Sequence, residues 1–362
     1  MKILFAGNIA NVGYLNCKYL QKIGISADLL MESNPPSVYD PLKTDSSLNG
    51  KYPDWIKFYQ QGKSGWKRRI LKIMQDKKYD LIQSQYDFTI FAYISRKKYV
   101  PQIVGSDLSE IAFSNSLRGI LMKRALRKPK TIFFTTPPDK VLLQKLNIHT
   151  GIFVPIMWDT DYFKPDDSNL NNNSTLTIFH PTNLNFKFKG NNILIEAFAE
   201  FIKNSPDSIL TIIDRGVDSE NTHRLVERLR LKNNVKFIKG PLNYEELRWQ
   251  YIHADIIADQ FILSGLGGIG CESLACGKPL LVNCPPDIYE NLHDEDPPVL
   301  HCKNHKDILK NLQVLKDKEF RKNIGKRGRE WVVKHHSPKS IIFKSISIYK
   351  KIIDGGNVNK IS

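Results

Sequence analysis

Short apolar runs alternate with amphipathic stretches along nearly the whole chain, and a layered α/β arrangement is what buries such a pattern. "KILFAG", "ADLLM", "DLIQS", "PQIVGS", "TIFFTT" and "GIFVPI" read as strands in the first part. "LTIFHPT", "SILTIID", "VKFIKG", "DIIADQF" and "PLLVN" do so in the second. Between them, "YLNCKYLQKIG", "NNILIEAFAEFIKN", "NTHRLVERLRLKN" and "YEELRWQYIHA" carry apolar residues at helical spacing. Strands apolar end to end and separated by helices form parallel sheets covered on both faces. One polar, asparagine-rich stretch, "DDSNLNNNST" at 166–175, breaks the alternation and reads as a linker. The expectation is two Rossmann-like, doubly wound domains, 1–165 and 176–336, facing a central cleft, with a helix at 337–362 packing back on the first. Ligands of such folds bind at the carboxyl ends of the strands.

A chain of 362 residues is long for one core, which also favours two domains. No apolar run approaches the ~20 residues of a membrane span, and "MKILFAGNIANVG" lacks the apolar centre of a secretory signal. The five cysteines are odd in number and lack paired metal spacing, so reduced buried thiols in a cytoplasmic protein are expected. The net charge of +16 is concentrated: residues 60–130 hold 16 Lys/Arg against 5 Asp/Glu. Within that region 63–78, "KSGWKRRILKIMQDKK", sets Trp66, Ile70, Ile73 and Met74 at helical spacing among cations. Such a helix fits an anionic membrane surface, and the reading favours peripheral attachment there. A solvated helix face and, last, a nucleic-acid contact remain open.

The densest chemical signal is "SGLGGIGCESLACGKP", residues 264–279. Four glycines lie between Gly265 and Gly270 after an apolar strand, and the helix that follows carries one carboxylate, Glu272, before ending near Gly277. Bare backbone at a strand-to-helix turn lets N–H groups approach an anion, and the helix points its positive end at the same place. A phosphorylated ligand is expected. "GLGGIG" also satisfies G-x-G-x-x-G, but it lies late in the chain, and the acid sought about twenty residues on would be Glu290, which ends no clear strand. A dinucleotide enzyme is disfavoured.

Taken in order, these segments resemble the family-4 retaining glycosyltransferases of the two-domain GT-B fold. The resembling segments are "VPIMWDTDYFKP", "HPTNLNFKFKGNNILIEAF" and "ADIIADQFILSGLGGIGCESLACGKPLLV". The resemblance implies transfer of a sugar from a nucleoside-diphosphate sugar, with retention, to a glycan or lipid-linked acceptor and without a metal or other cofactor. It implies that Glu272 accepts from the ribose diol, that the backbone around Gly265, Leu266, Gly267 and Gly268 faces the diphosphate or sugar, and that Lys189 neutralises the leaving diphosphate. Ser264 stands where the family has a second glutamate, with Asp259 and Gln260, which end the same strand, as substitute contacts. Asn183 stands where it has an arginine, and Val104 where "VGSD" would begin with histidine. Asp107 either orients a sugar or caps the following helix. Asn11 and Gly13 are read as lining the acceptor side or as forming a tight turn, two roles that can hold together. His180 reads as a wall residue rather than a base. The departures keep an inactive glycan-binding or scaffold protein open, and a nonhydrolytic nucleotide-sugar epimerase shares the fold.

Overall fold

The computed structural model describes residues 1–36, 39–105, 107–166, 175–289, 292–356 and 358. Of the expected linker, 167–174 lie outside the described residues, as do Ser106 and Glu290. The chain divides into two compact units, Met1–Met157 with Pro338–Ser362, and Trp158–Ser337.

The first unit is built on five parallel strands, β1 (Lys2–Ala6), β2 (Ser26–Glu32), β3 (Ile56–Tyr59), β4 (Leu81–Ser84) and β5 (Tyr99–Pro101), in the order β3-β2-β1-β4-β5. A parallel pair, β6 (Ile132–Phe134) and β7 (Gly151–Phe153), continues from β5 through a bridge between Gln102 and Phe133. β1 sits centrally, with Phe5 opposite Leu29 on one side and Gln83 on the other. Its residues Ile3 to Ala6 are almost fully buried because both faces of the sheet are covered. One face packs on the helices Val12–Lys22 and Pro338–Ile353, through Tyr14, Leu15, Ile342, Ile346 and Tyr349. The C-terminal helix is thus part of this core, and its Tyr349 hydroxyl donates to the buried Gln83. The other face packs on Trp66–Met74 and Phe88–Ser95. Gly13 permits the close entry of the first helix, since a Cβ there would stand 2.2 Å from the Gly7 carbonyl oxygen.

The basic segment 63–78 corrects the sequence reading. Ile70 and Met74 are fully buried, and Trp66 and Ile73 pack against the same core. Trp66 stacks on Tyr59 at 6.1 Å and meets Phe91 edge-on. The apolar stripe that was to enter a membrane is spent inside the unit, leaving only exposed cations outside. Among the described residues no helix is long and apolar enough to cross a membrane.

The second unit holds six parallel strands, β8 (Thr177–His180), β9 (Ile209–Asp214), β10 (Val235–Lys239), β11 (Ile256–Ala258), β12 (Leu280–Val282) and β13 (Leu300–His301), in the order β10-β9-β8-β11-β12-β13. Leu194, Phe198 and Phe201 of the helix Asn191–Phe201 fill its core together with Ile178, Leu210 and Ile256. The division between units falls at Trp158 rather than at 166, for a local reason. Trp158 N–H bonds the His336 carbonyl at 3.0 Å. Arg329 Nη1 collects the carbonyls of Thr160, Phe163 and Ala275 at 2.8–2.9 Å. Phe163 packs on Tyr244 and Tyr251. The five cysteines are buried and unpaired.

Candidate functional site

In the second unit β8, β11 and β12 are adjacent, so the segments leaving their carboxyl ends converge. Lys189 comes from the loop after β8, Asp259 and Gln260 directly follow β11, and the glycine turn runs on into the helix Gly268–Ala275.

The start of the glycine turn is held by two of its amides. Gly265, at φ +92, donates to the Asn283 carbonyl at 2.9 Å. Leu266 N–H donates to the Tyr289 hydroxyl oxygen at 3.0 Å. Gly267 is exposed, and a Cβ there would meet nothing within 4 Å. At Gly268 a Cβ would come within 2.8 Å of the Trp158 ring, so only glycine lets the helix start against that indole. The first amides of this helix have no partner in the preceding turn of their own helix, which suits them to an anion. Ser264 is exposed at the mouth of the turn.

Glu272 lies on the buried side of this helix and is 6 % exposed. Tyr251 O–H donates to its Oε2 at 3.1 Å. Burial, opposed by that hydrogen bond and aided by the nearby Asp259, pushes its carboxyl up to about 8. Asp259 is also buried; it accepts from Thr182 Oγ1 at 2.7 Å, and burial raises its pKa. One of its oxygens is therefore committed inward. Lys189, half-buried, donates through Nζ to Gln260 Oε1, and Gln260 Nε2 in turn donates to the Gly265 carbonyl at 3.3 Å. The structure thus joins the lysine loop to the glycine turn through one amide side chain.

A buried chain of hydrogen bonds sets the lysine loop. His180 Nδ1 lies 2.8 Å from the Ala258 carbonyl, and Asn191 Nδ2 lies 2.8 Å from Nε2. Burial, with Lys189 adding to it, lowers the imidazole to about 4, so it is neutral, with Nδ1–H donating and Nε2 accepting. Asn191 Oδ1 accepts from Asn185 N–H at 2.8 Å, and Asn185 Oδ1 accepts from Phe188 N–H at 3.1 Å. Asn183 is exposed, and its carbonyl accepts from Asn191 at 3.4 Å. The sequence assigned His180 to a wall; here it anchors the loop that presents Lys189.

The remaining candidates belong to the first unit. Asp107 is buried and accepts from Val104 N–H at 3.4 Å and Leu108 N–H at 3.1 Å, a bond back to the preceding loop and one to its neighbour rather than the bonds of a helix cap. Burial, opposed by these bonds and aided by Asp139, pushes its carboxyl up to about 7. Asn11 is buried in a left-handed conformation, donates to Thr44 Oγ1 at 2.9 Å and accepts from Asn8 at 3.2 Å. Asn8 Oδ1 accepts from Tyr14 N–H at 2.7 Å. Asn11 and Gly13 thus make the tight turn. Sequence reasoning missed Tyr251, Thr182 and Tyr289, whose partners lie 21, 77 and 23 residues away.

Among the described residues, one cluster could hold a metal by proximity, Asp294, Glu295 and His335. Lys334 already occupies it, with Nζ at 2.6 Å from Asp294 and 2.9 Å from Glu295.

Residues 163–331 match the family described as Glycosyl transferases group 1, a span that contains Lys189, Asp259, the glycine turn and Glu272. An uncharacterized glycosyltransferase of Haemophilus influenzae is 26% identical over 148 residues, 40% of each chain. One of Methanocaldococcus jannaschii is 23% identical over 296 residues, 75% of each chain. The chain therefore spans well under half the length of the first of these relatives. The solved structure of Anabaena HepE in complex with UDP-glucose superposes with a TM-score of 0.73 at 14% identity, over 97% of this chain and 100% of that one. The fold is that of the GT-B glycosyltransferases, and the match to glycosyl transferases group 1 falls on residues 163–331.

Proposed function

We propose that this protein transfers a sugar from a nucleoside-diphosphate sugar to a glycan or lipid-linked acceptor, with retention at the anomeric carbon. The observation that carries the reading is the convergence of Lys189, the glycine turn and Glu272 at the carboxyl ends of β8 and β11, within the matched domain. The structural relative bound to UDP-glucose makes a uridine nucleotide the first donor to try.

In this reading the turn from Gly265 to Gly268 and the helix that follows receive the diphosphate on backbone N–H groups. As the bond from the anomeric carbon to the phosphate oxygen breaks, the diphosphate departs with the electron pair. The acceptor hydroxyl oxygen bonds the anomeric carbon on the same face, and its proton passes to the departing phosphate oxygen. Lys189, released from Gln260, meets the growing charge. Glu272 gives up its proton and accepts from the ribose diol, with Tyr251 keeping its other side fixed. Ser264, Asn183 and Asp259 line the sugar end, and no metal or other cofactor is assigned a part. Asp107, Asn11 and Gly13 are assigned to the acceptor side.

Thermal unfolding in the presence of a panel of nucleoside diphosphates and their sugars tests the pocket. A ligand at 100 times its dissociation constant stabilises by about 2.7 kcal/mol. Stabilisation by a nucleotide sugar without turnover on any acceptor would favour the inactive binding protein, to which the exposed Ser264 and Asn183 point. Conversion of the sugar without an acceptor would favour the epimerase. No stabilisation by any nucleotide would sink the reading.

A further inference from the structure

We propose that the outer face of three adjacent helices of the first unit, Trp66–Met74, Phe88–Ser95 and Leu117–Arg127, is a docking surface for an anionic lipid membrane. Its apolar contact is made by Ile94, Phe113, Leu117 and Ile120 rather than by the stripe of the basic helix.

The helices form one layer. The first two pack on each other with Trp66 against Phe91, and the second packs on the third. Arg118 clamps the last pair, its Nε and Nη2 each 2.7 Å from an oxygen of Asp87. Their inner sides fill the core, yet the outer side leaves large aliphatic groups in water. Leu117 is 73% exposed, Ile94 44%, Ile120 42%, and Phe113, just before the third helix, 39%. Leu117 and Ile120 are three residues apart and so share a helix face.

The charge on this layer is mostly of one sign, with Asp87 paired to Arg118 and Glu110 exposed before Phe113. The three helices contain eight Lys/Arg and no Asp or Glu. Lys67, Arg68, Lys72 and Arg124 are exposed, and Arg96 follows the middle helix. Aliphatic side chains beside cations are what the boundary between headgroups and acyl chains receives. A second copy of this chain fits poorly, because a self-complementary contact would set these cations against themselves. A nucleic acid would leave Leu117 and Ile120 without a role, since bases stack on aromatic rings rather than on aliphatic chains.

The surface also reaches the carboxyl end of its own sheet. Asp87 follows β4 closely, so its pairing with Arg118 holds the first turn of the third helix at the carboxyl end of the sheet. That is where ligands of such sheets bind. The proposal deepens the reading of a lipid-linked acceptor, and its test is independent of donor and turnover.

The full chain is floated with vesicles of phosphatidylcholine alone or mixed with phosphatidylglycerol. Wild type should bind the mixed vesicles, with salt weakening the binding by screening. Leu117→Ser with Ile120→Ser should lower partitioning by roughly tenfold or more, as should Lys67→Gln with Lys72→Gln and Arg124→Gln. Thermal unfolding should be unchanged in both, because these side chains are exposed. The proposal is overturned if wild type ignores the mixed vesicles or if the Leu117/Ile120 pair partitions like wild type. It is equally overturned if wild type binds oligonucleotides more tightly than vesicles at physiological salt, or forms a dimer that the Leu117/Ile120 pair disperses. Nucleotide-induced stabilisation, measured alongside, reports on the donor site separately.

Discussion

Replacing Glu272 by glutamine should stabilise the protein at neutral pH and leave its stability unchanged at acid pH. Glu272 is buried beside Asp259 with one hydroxyl donor, Tyr251, and its carboxyl titrates near 8 instead of near 4.5. A carboxyl raised on folding contributes its full stability below the unfolded value and loses it as pH rises through the folded one. Each pH unit between the two values costs about 1.36 kcal/mol, so at pH 7 the wild type forfeits about 3 kcal/mol relative to pH 4. Local relaxation and water entry would reduce that to about 1–3 kcal/mol. Glutamine keeps the shape and an oxygen for the Tyr251 hydroxyl but has nothing to ionise. The comparison is urea unfolding of variant and wild type at pH 5 and pH 8, with Asp107 and every other titrating group common to both. The variant's advantage should be near zero at the first pH and about 1–3 kcal/mol at the second. A difference that is flat in pH, or one that favours the wild type as pH rises, would refute the burial argument. In the proposed function the same substitution has a second reading. Ribose hydroxyls donating to the carboxylate favour its ionised form, so nucleotide binding near pH 7 should release up to one proton from wild type and none from this site in the variant. Calorimetry in buffers of different ionisation enthalpy measures that release.

Lys189→Ala should depress turnover roughly 10²-fold while changing donor affinity much less, because leaving-group charge grows toward the transition state. Parallel kinetics and equilibrium binding separate the two, and an unchanged rate removes Lys189 from the mechanism. His180→Phe should leave the Asn191 amide without its acceptor and loosen the Lys189 loop, lowering turnover with little change in the pH profile, since the imidazole is already neutral above about 4. A profile that loses an ionisation near neutrality would instead make His180 a base. Gly13→Ala should destabilise the first unit by about 2–4 kcal/mol, as its Cβ would clash with backbone at Gly7. An unfolding midpoint equal to wild type would contradict that contact. Asp107→Asn should gain on wild type as pH rises through about 7. If Asp107 also holds the acceptor, the acceptor's KM rises while nucleotide binding stays fixed.

Sequence alone disclosed what depends on local pattern. The parallel strands announce themselves because runs such as "KILFAG" are buried on both faces and need no polar alternation. β3 escaped because "IKFY" is short, half-buried beyond Ile56, and sits at the sheet edge. The basic helix misled for a related reason. An apolar stripe between cations has the same periodicity whether it faces lipid or a protein core, and only the aromatic contacts of Trp66 with Tyr59 and Phe91 decide it. The exposed Leu117 and Ile120 carry no such stripe, so nothing in the pattern marks them. Likewise Glu272 and Lys189 were visible from their neighbours in sequence, whereas Tyr251 and Thr182 meet Glu272 and Asp259 only across the sheet.

Those distant partners change how the site has to work. In the free protein the two ionisable groups assigned to the phosphate and ribose are already paired from within, Glu272 with Tyr251 and Lys189 with Gln260. A neutral, buried carboxyl and a paired ammonium avoid the cost of isolated buried charge. A donor therefore exchanges hydrogen bonds rather than adding them. The diphosphate must outcompete a neutral amide for Lys189, which an anion does easily, while the diol must also cover the free energy of ionising Glu272. The phosphate half of the ligand is favoured at any neutral pH, and the ribose half gains as pH approaches 8. Inorganic diphosphate should consequently bind with little change between pH 6 and 8, and the increment contributed by the nucleoside should grow across that range. An increment independent of pH in wild type, or equally pH-dependent in Glu272→Gln, would show that the ribose is held elsewhere.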